Sequence, residues 1–166
     1  MRLNRLVSII RHRWVHSSYS PTDCIAHNVP MKSSDKMRVL LVEDTVIVAE
    51  QVRDLLQQSL HDPEIVVAST EDEAVDTATQ YEPHVVILDL KLKQGTGFGV
   101  LRTLCESEER PLFIVLTNYA LPQYREFAKL IGADFFLDKA LDFATITEIL
   151  DSIPITDRGV PKITKH

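Results

Sequence analysis

Five residues in this 166-residue chain carry groups that could act together on a phosphate: Glu43, Asp44, Asp89, Thr117 and Lys139. Each lies at or just past the end of a short apolar run. Asp89 closes Val85-Val86-Ile87-Leu88 and opens a loop containing Gly95 and Gly97. Glu43 and Asp44 follow the run that ends at Val42, Thr117 follows Leu112 to Leu116, and Lys139 follows Asp134 to Asp138. A single aspartate at the end of a run is ordinary loop chemistry, so the weight rests on the set. Two like charges ~4 Å apart repel by about 4 kcal/mol at an effective dielectric near 20. Three carboxylates in one cleft therefore call for a protonated carboxyl or a divalent cation. Oxygen donors with room for phosphate suit Mg2+. A carboxylate nucleophile, a lysine and a hydroxyl around such an ion are equipment for phosphoryl transfer to an aspartate.

The elements that would bring these residues together are readable in order. Val85 to Leu88 is apolar on both faces and too short for a helix, as in a strand buried within a parallel sheet. Met37 to Val42, Ile65 to Ala68, Leu112 to Leu116 and Asp134 to Leu137 supply four more strands. Between them the spacing predicts helices. Val48, Val52, Leu55, Leu56 and Ser59 share one face, with Asp44 or Thr45 as cap. Thr70-x-x-Glu73 is a capping box opening a helix with Ala74, Val75, Ala78 and Tyr81 inward. Phe98, Leu101, Leu104 and Cys105 keep helical spacing. Pro122 suits the first turn of a helix through Phe127, Ala128 and Ile131, stopped at Gly132. Phe143, Ile146, Ile149 and Leu150 line the last helix, before Pro154. Five strand–helix alternations predict an α/β fold: a five-stranded parallel, doubly wound, flavodoxin-like sheet of order 2-1-3-4-5. Strands 1, 3, 4 and 5 then bring the five candidate residues to one sheet edge.

Composition narrows the setting. Residues 1–36 hold six Lys/Arg against two Asp (+4), and residues 37–166 hold twelve against twenty-two acids (−10). The acidic body argues against direct contact with DNA or an anionic membrane surface. Cys24 and Cys105 make no disulfide framework, which fits a reducing, cytoplasmic compartment. No apolar run approaches the ~18 residues of a membrane span. Residues 1–36 read as a disordered tail or as sequence ahead of a true start at Met31 or Met37, and as dispensable. His12, His16, Cys24 and His27 within them have zinc-like spacings without a framework around them. Residues 154–166 read as a short tail, and no helix-turn-helix or second domain is apparent after residue 153.

The body resembles the receiver domain of bacterial two-component response regulators. The resemblance runs from Met37 to about Ile153 and is carried by Val42-Glu43-Asp44, Ile87-Leu88-Asp89 with its Gly95-x-Gly97 loop, Leu116-Thr117 and Asp138-Lys139. It implies Asp89 as phosphoacceptor. It further implies Mg2+ bound by Asp44, Asp89 and the backbone carbonyl of Lys91, with Glu43 acting through water. Thr117 and Lys139 would hold the phosphoryl group, and Phe136 takes the aromatic switch position. Lys91 and Tyr119 take the two positions expected to tune dephosphorylation. The implied partners are a sensor histidine kinase or phosphotransfer protein and a downstream protein of unknown identity. The expected role is a stand-alone signalling switch that acts through its own aspartyl phosphate. The chain departs from the family pattern at Lys93, Asn118 and Ala140. A cis bond before a non-proline residue costs ~2.5–4 kcal/mol, so a trans Lys139–Ala140 bond and an atypical following loop are expected. Two other functions compete: a pseudo-receiver that works without phosphorylation, and an aspartate-nucleophile phosphatase. The phosphatase resemblance would need Asp-x-Asp where Asp89-Leu90-Lys91 stands.

Overall fold

The computed structural model describes residues 36–107 and 110–153. The basic segment up to residue 35, with its zinc-like spacings, and the tail from residue 154 lie outside the described residues. In chain order the elements are β1 (Arg38–Val42), α1 (Val46–Ser59), β2 (Glu64–Ala68), α2 (Glu71–Tyr81) and β3 (Val85–Leu88). They continue with α3 (Gly97–Leu104), β4 (Leu112–Thr117), α4 (Pro122–Ile131), β5 (Phe135–Asp138) and α5 (Thr145–Asp151). All strand pairs are parallel and the order is β2-β1-β3-β4-β5, as the alternation predicts.

Every residue of β3 and β4 is buried, because helices cover both faces of the sheet. On one face Leu40, Val86, Phe113 and Val115 pack with Ala74, Ala78, Val100, Leu101 and Ala128 from α2, α3 and α4. On the other, Leu41, Ile87, Ile114 and Leu116 pack with Ala49, Val52 and Leu56 of α1 and with Ile146, Ile149 and Leu150 of α5. Burying side chains of this size contributes roughly 1.5–3 kcal/mol each, which fixes the register and with it the strand ends.

Thr70 caps α2 by accepting the Glu73 amide, and Glu73 in return accepts the Ser69 amide. Gly132 ends α4 at φ 137°, a conformation that disfavours a side chain. Several helix faces differ from their spacing. Ala49 replaces Ser59 on the buried face of α1, Tyr81 is half-buried with its hydroxyl on the Glu64 carbonyl, and Phe127 is exposed. Thr45 stands at the N-cap of α1 without a side-chain cap bond, its hydroxyl donating to Asp44 instead. Among the described residues no peptide bond is cis and no helix is long and apolar enough to cross a membrane.

Candidate functional site

The backbone ladder continues one residue past several strand ends, and this sets the site. The Glu43 amide donates to the Ala68 carbonyl, Asp89 to Val42 and Lys139 to Thr117, all at 2.9–3.0 Å. Glu43, Asp89 and Lys139 are thus last rungs of the sheet, and side chains on such rungs are held more tightly than on a loose loop.

Their side chains meet. Lys139 Nζ lies 2.6 Å from Glu43 Oε2 and 2.6 Å from Asp89 Oδ2, and all three side chains are more than nine-tenths buried. The remaining oxygens take amides: Thr45 donates to Glu43 Oε1 at 3.0 Å, and Lys91 to Asp89 Oδ1 at 3.3 Å. Lys139 therefore supplies a third answer to carboxylate crowding, beside a shared proton or a divalent ion. Its ammonium sits between two of the acids. Glu43, expected to act on an ion through water, is held by Lys139.

Asp44 is half-buried beside the pair, and Lys93 Nζ reaches its carbonyl at 3.3 Å. Thr117 is fully buried at the end of β4, next to β5, and its hydroxyl accepts the Tyr119 amide at 3.2 Å. Lys91 and Tyr119 are exposed and touch each other: Nζ lies 3.2 Å from the phenol oxygen and 5.5 Å from the ring centre. That hydrogen bond is the main cause that raises the Lys91 pKa above its usual value. Phe136 is buried on β5 under the Arg125 guanidinium, 4.7 Å above the ring, whose Nη1 also donates to the Phe136 carbonyl at 2.7 Å.

Three contributors escape sequence reasoning. Arg125 lacks any signal, since an arginine on an exposed helix is ordinary. Asp142 organises the loop after Lys139, accepting the Asp138 amide while its own amide donates to the Asp138 carbonyl. Glu71 accepts the Thr96 amide across from α2, and the only sequence trace of that is a surplus of glycines nearby.

Among the described residues no three Asp, Glu, His or Cys side chains are gathered to enclose a metal ion by themselves. The residues expected to hold an ion offer only oxygens: Asp44 and Asp89, after neighbouring strands, and the carbonyl of Lys91. Such a partial set fits an ion that keeps waters and shares its shell with phosphate, which is the habit of Mg2+.

The chain matches the response regulator receiver domain over residues 39–151. It is 28% identical over 103 residues to the cell cycle response regulator CtrA of Brucella ovis and to that of Brucella abortus. The match takes in 62% of this chain and 44% of each relative, so the chain spans less than half of those proteins' own length. Among solved structures, a LuxR-family two-component response regulator from Aurantimonas sp. SI85-9A1 superposes with a TM-score of 0.65 at 23% identity, covering 71% of this chain and 84% of that one. The BeF3-activated receiver domain of Klebsiella pneumoniae RstA gives 0.63 at 23%, covering 69% and 95%. The Mn2+-bound form of response regulator Rcp1 gives 0.62 at 23%, covering 70% and 92%. At these identities the superpositions speak for the fold. The match across the sheet and its strand ends speaks for more: the chain belongs to the response regulator receiver domains, which work in phosphorylation-based two-component signalling.

Proposed function

We propose that Asp89 accepts a phosphoryl group from a phosphohistidine on a sensor histidine kinase or phosphotransfer protein, and that the aspartyl phosphate switches contacts with a downstream protein. One observation carries this: a buried aspartate at the carboxyl edge of the sheet whose Oδ2 is held by Lys139 at 2.6 Å. In the transfer an Asp89 oxygen forms a bond to phosphorus while the P–N bond to the donor imidazole breaks. The electron pair returns to the ring nitrogen, which takes up a proton. Lys139 moves from the carboxylates to the phosphoryl oxygens, exchanging one anion for another. The Thr117 hydroxyl gives up its local amide to donate to the same group. Asp44, Asp89 and the Lys91 carbonyl would hold Mg2+, with Glu43 acting through water or through Lys139. The ion's contribution there is to offset charge on the carboxylates and the phosphoryl oxygens.

Phe136 and Thr117 are assigned the readout, because Thr117 pairs with the strand that carries Phe136. Lys91 and Tyr119 are assigned the lifetime of the phosphate. Lys91, whose amide donates to Asp89, and Tyr119 touch each other, and in this reading the phenol excludes water from the phosphoryl group while the ammonium holds its oxygens. The switching unit is residues 37–153, a signalling device that promotes only its own phosphorylation and dephosphorylation. The acidic balance of residues 37–166 favours a protein over nucleic acid as direct partner.

The test is incubation of the full chain with acetyl phosphate and Mg2+, read by intact mass. One phosphoryl group is expected, strictly Mg2+-dependent and absent in Asp89→Asn. A mass shift that persists in Asp89→Asn overturns the assignment, and no uptake by the wild type in the presence of Mg2+ favours the phosphorylation-independent module.

A further inference from the structure

We infer that Glu71 is a positioning residue for the proposed Mg2+ site, acting through the loop that follows Asp89. The inference rests on the function proposed above and adds a residue to it. Glu71 is the first residue of α2, followed by Asp72 and Glu73, and an acid there is ordinarily explained by the helix dipole. Its side chain does something more specific. Glu71 Oε2 accepts the Thr96 amide at 2.7 Å, while the Glu71 amide donates to the Gln94 carbonyl at 3.1 Å. Helix and loop are thus strapped together in both directions. Space for the carboxylate is made by two glycines, since a Cβ on Gly95 or on Gly99 would overlap Glu71 side-chain atoms. Gly95 also adopts φ 76°, which disfavours a side chain in any case. Gly99 lies inside α3 without such a conformation, so its lack of a side chain is explained by the neighbouring carboxylate.

The strap reaches the metal donor through a small ribbon. Lys91 pairs antiparallel with Thr96, flanked by the bond from the Gly97 amide to the Leu90 carbonyl. In a pair of this kind the N–H and C=O of both residues turn outward, away from each other. The outward edge of Thr96 meets Glu71. The outward edge of Lys91 faces Asp89, where its amide donates to Oδ1 at 3.3 Å, and its carbonyl belongs to that same edge. Glu71 anchors one edge of the ribbon and thereby sets the other, which carries the Lys91 oxygen.

The test is a Mg2+ titration of the full chain followed by NMR through the Lys91 and Thr96 amides, with no phosphodonor present. Glu71→Ala should raise the Mg2+ Kd about tenfold, as loss of an outer-sphere support does, and speed exchange of the Thr96 amide. Glu71→Gln, whose amide oxygen can accept the same N–H, should stay close to wild type. Gly99→Ala should weaken Mg2+ binding much as Glu71→Ala does, despite better helix propensity, because its methyl displaces the carboxylate. Combining Gly99→Ala with Glu71→Ala should add no further loss, since both break one contact. Wild-type affinity in Glu71→Ala, or additive losses in the double variant, overturns the inference. Unchanged affinity in Asp44→Asn would instead overturn the assignment of the metal site, and this inference with it.

Discussion

Two buried aspartates sit at opposite edges of the same sheet, and their surroundings differ in kind. Asp134, just before β5, accepts both arms of the Arg110 guanidinium at 2.9 Å and the Phe113 amide at 3.0 Å. Asp89, just after β3, has Lys139 at 2.6 Å and a long bond from the Lys91 amide. Arginine's planar fork fixes two oxygens at once, whereas lysine is a point charge on a flexible stem. Lys139 is moreover divided between Asp89 and Glu43. The Asp134 cluster is built to stay, and its hydrogen bonds are the main cause that raises the Arg110 pKa above its usual value. The Asp89 cluster has a cation shared between two acids, which suits the exchange of partners proposed above. Burial alone does not distinguish the two carboxylates; the kind of cation does.

The contrast can be broken from either edge. The largest effect is expected at the near edge, where Lys139→Met should slow phosphorylation by acetyl phosphate about 100-fold, the typical loss of a charge-stabilising donor. The same variant leaves Glu43 and Asp89 without their shared cation, so Mg2+ should raise its melting temperature more than it raises the wild type's. Asp134→Ala should do the reverse. It should lower folding stability by about 2 kcal/mol, as removal of charged hydrogen bonds does, while the folded fraction phosphorylates normally. Arg110 is a quarter exposed, which keeps the cost below that of a fully buried pair. Equal loss of phosphorylation in both variants would erase the distinction.

A smaller effect is expected from Tyr119→Ala. Removal of the ring that touches Lys91 should quicken decay of the phosphorylated protein several-fold, and adding Lys91→Asn should quicken it further; unchanged or slower decay excludes shielding. The smallest belongs to His84 at the far edge, where burial first and Arg38 second lower its pKa from 6.5. Its Nδ1 accepts the Arg38 amide at 3.2 Å, which requires the unprotonated nitrogen. A lowered folded-state pKa gives stability that is complete above about pH 6.5 and is lost as pH falls through the folded value. Each unit of lowering is worth about 1.4 kcal/mol at full protonation. Melting curves from pH 7 to 5 should fall less steeply in His84→Gln than in the wild type, whereas equal slopes would assign the acid lability elsewhere.

Sequence reasoning goes furthest where one residue type does one thing. The apolar runs of β1, β3 and β4, the Thr70–Glu73 box and the Gly132 stop are local, and each agrees with the structure. Helix faces are less legible: spacing identifies an apolar stripe but not whether another layer covers it. Phe127 follows the stripe of α4 and remains 42% exposed, with Phe98 at its edge as an aromatic neighbour 5.0 Å away. At the candidate site, residue types and strand ends are readable, and the topology brings them to one edge. The pairing of Lys139 with Glu43 and Asp89 is not readable, because it depends on side-chain reach across three strands. Nor is the support from Arg125 and Glu71, whose side chains act on backbone groups and leave no pattern of their own.

The bond between Lys139 and Glu43 joins residues 96 positions apart, and this bears on how the protein is made. Synthesis delivers Glu43 and Asp89 well before Lys139, so a growing chain carries both acids without their counter-ion. Closing so distant a contact costs loop entropy that only docking of β5 repays. The charge pair is therefore complete only once β5 has docked beside β4. A chain whose β5 has not docked holds the aspartate without the ammonium beside it. Under the proposed function, competence to accept a phosphoryl group is in this way tied to the docking of β5.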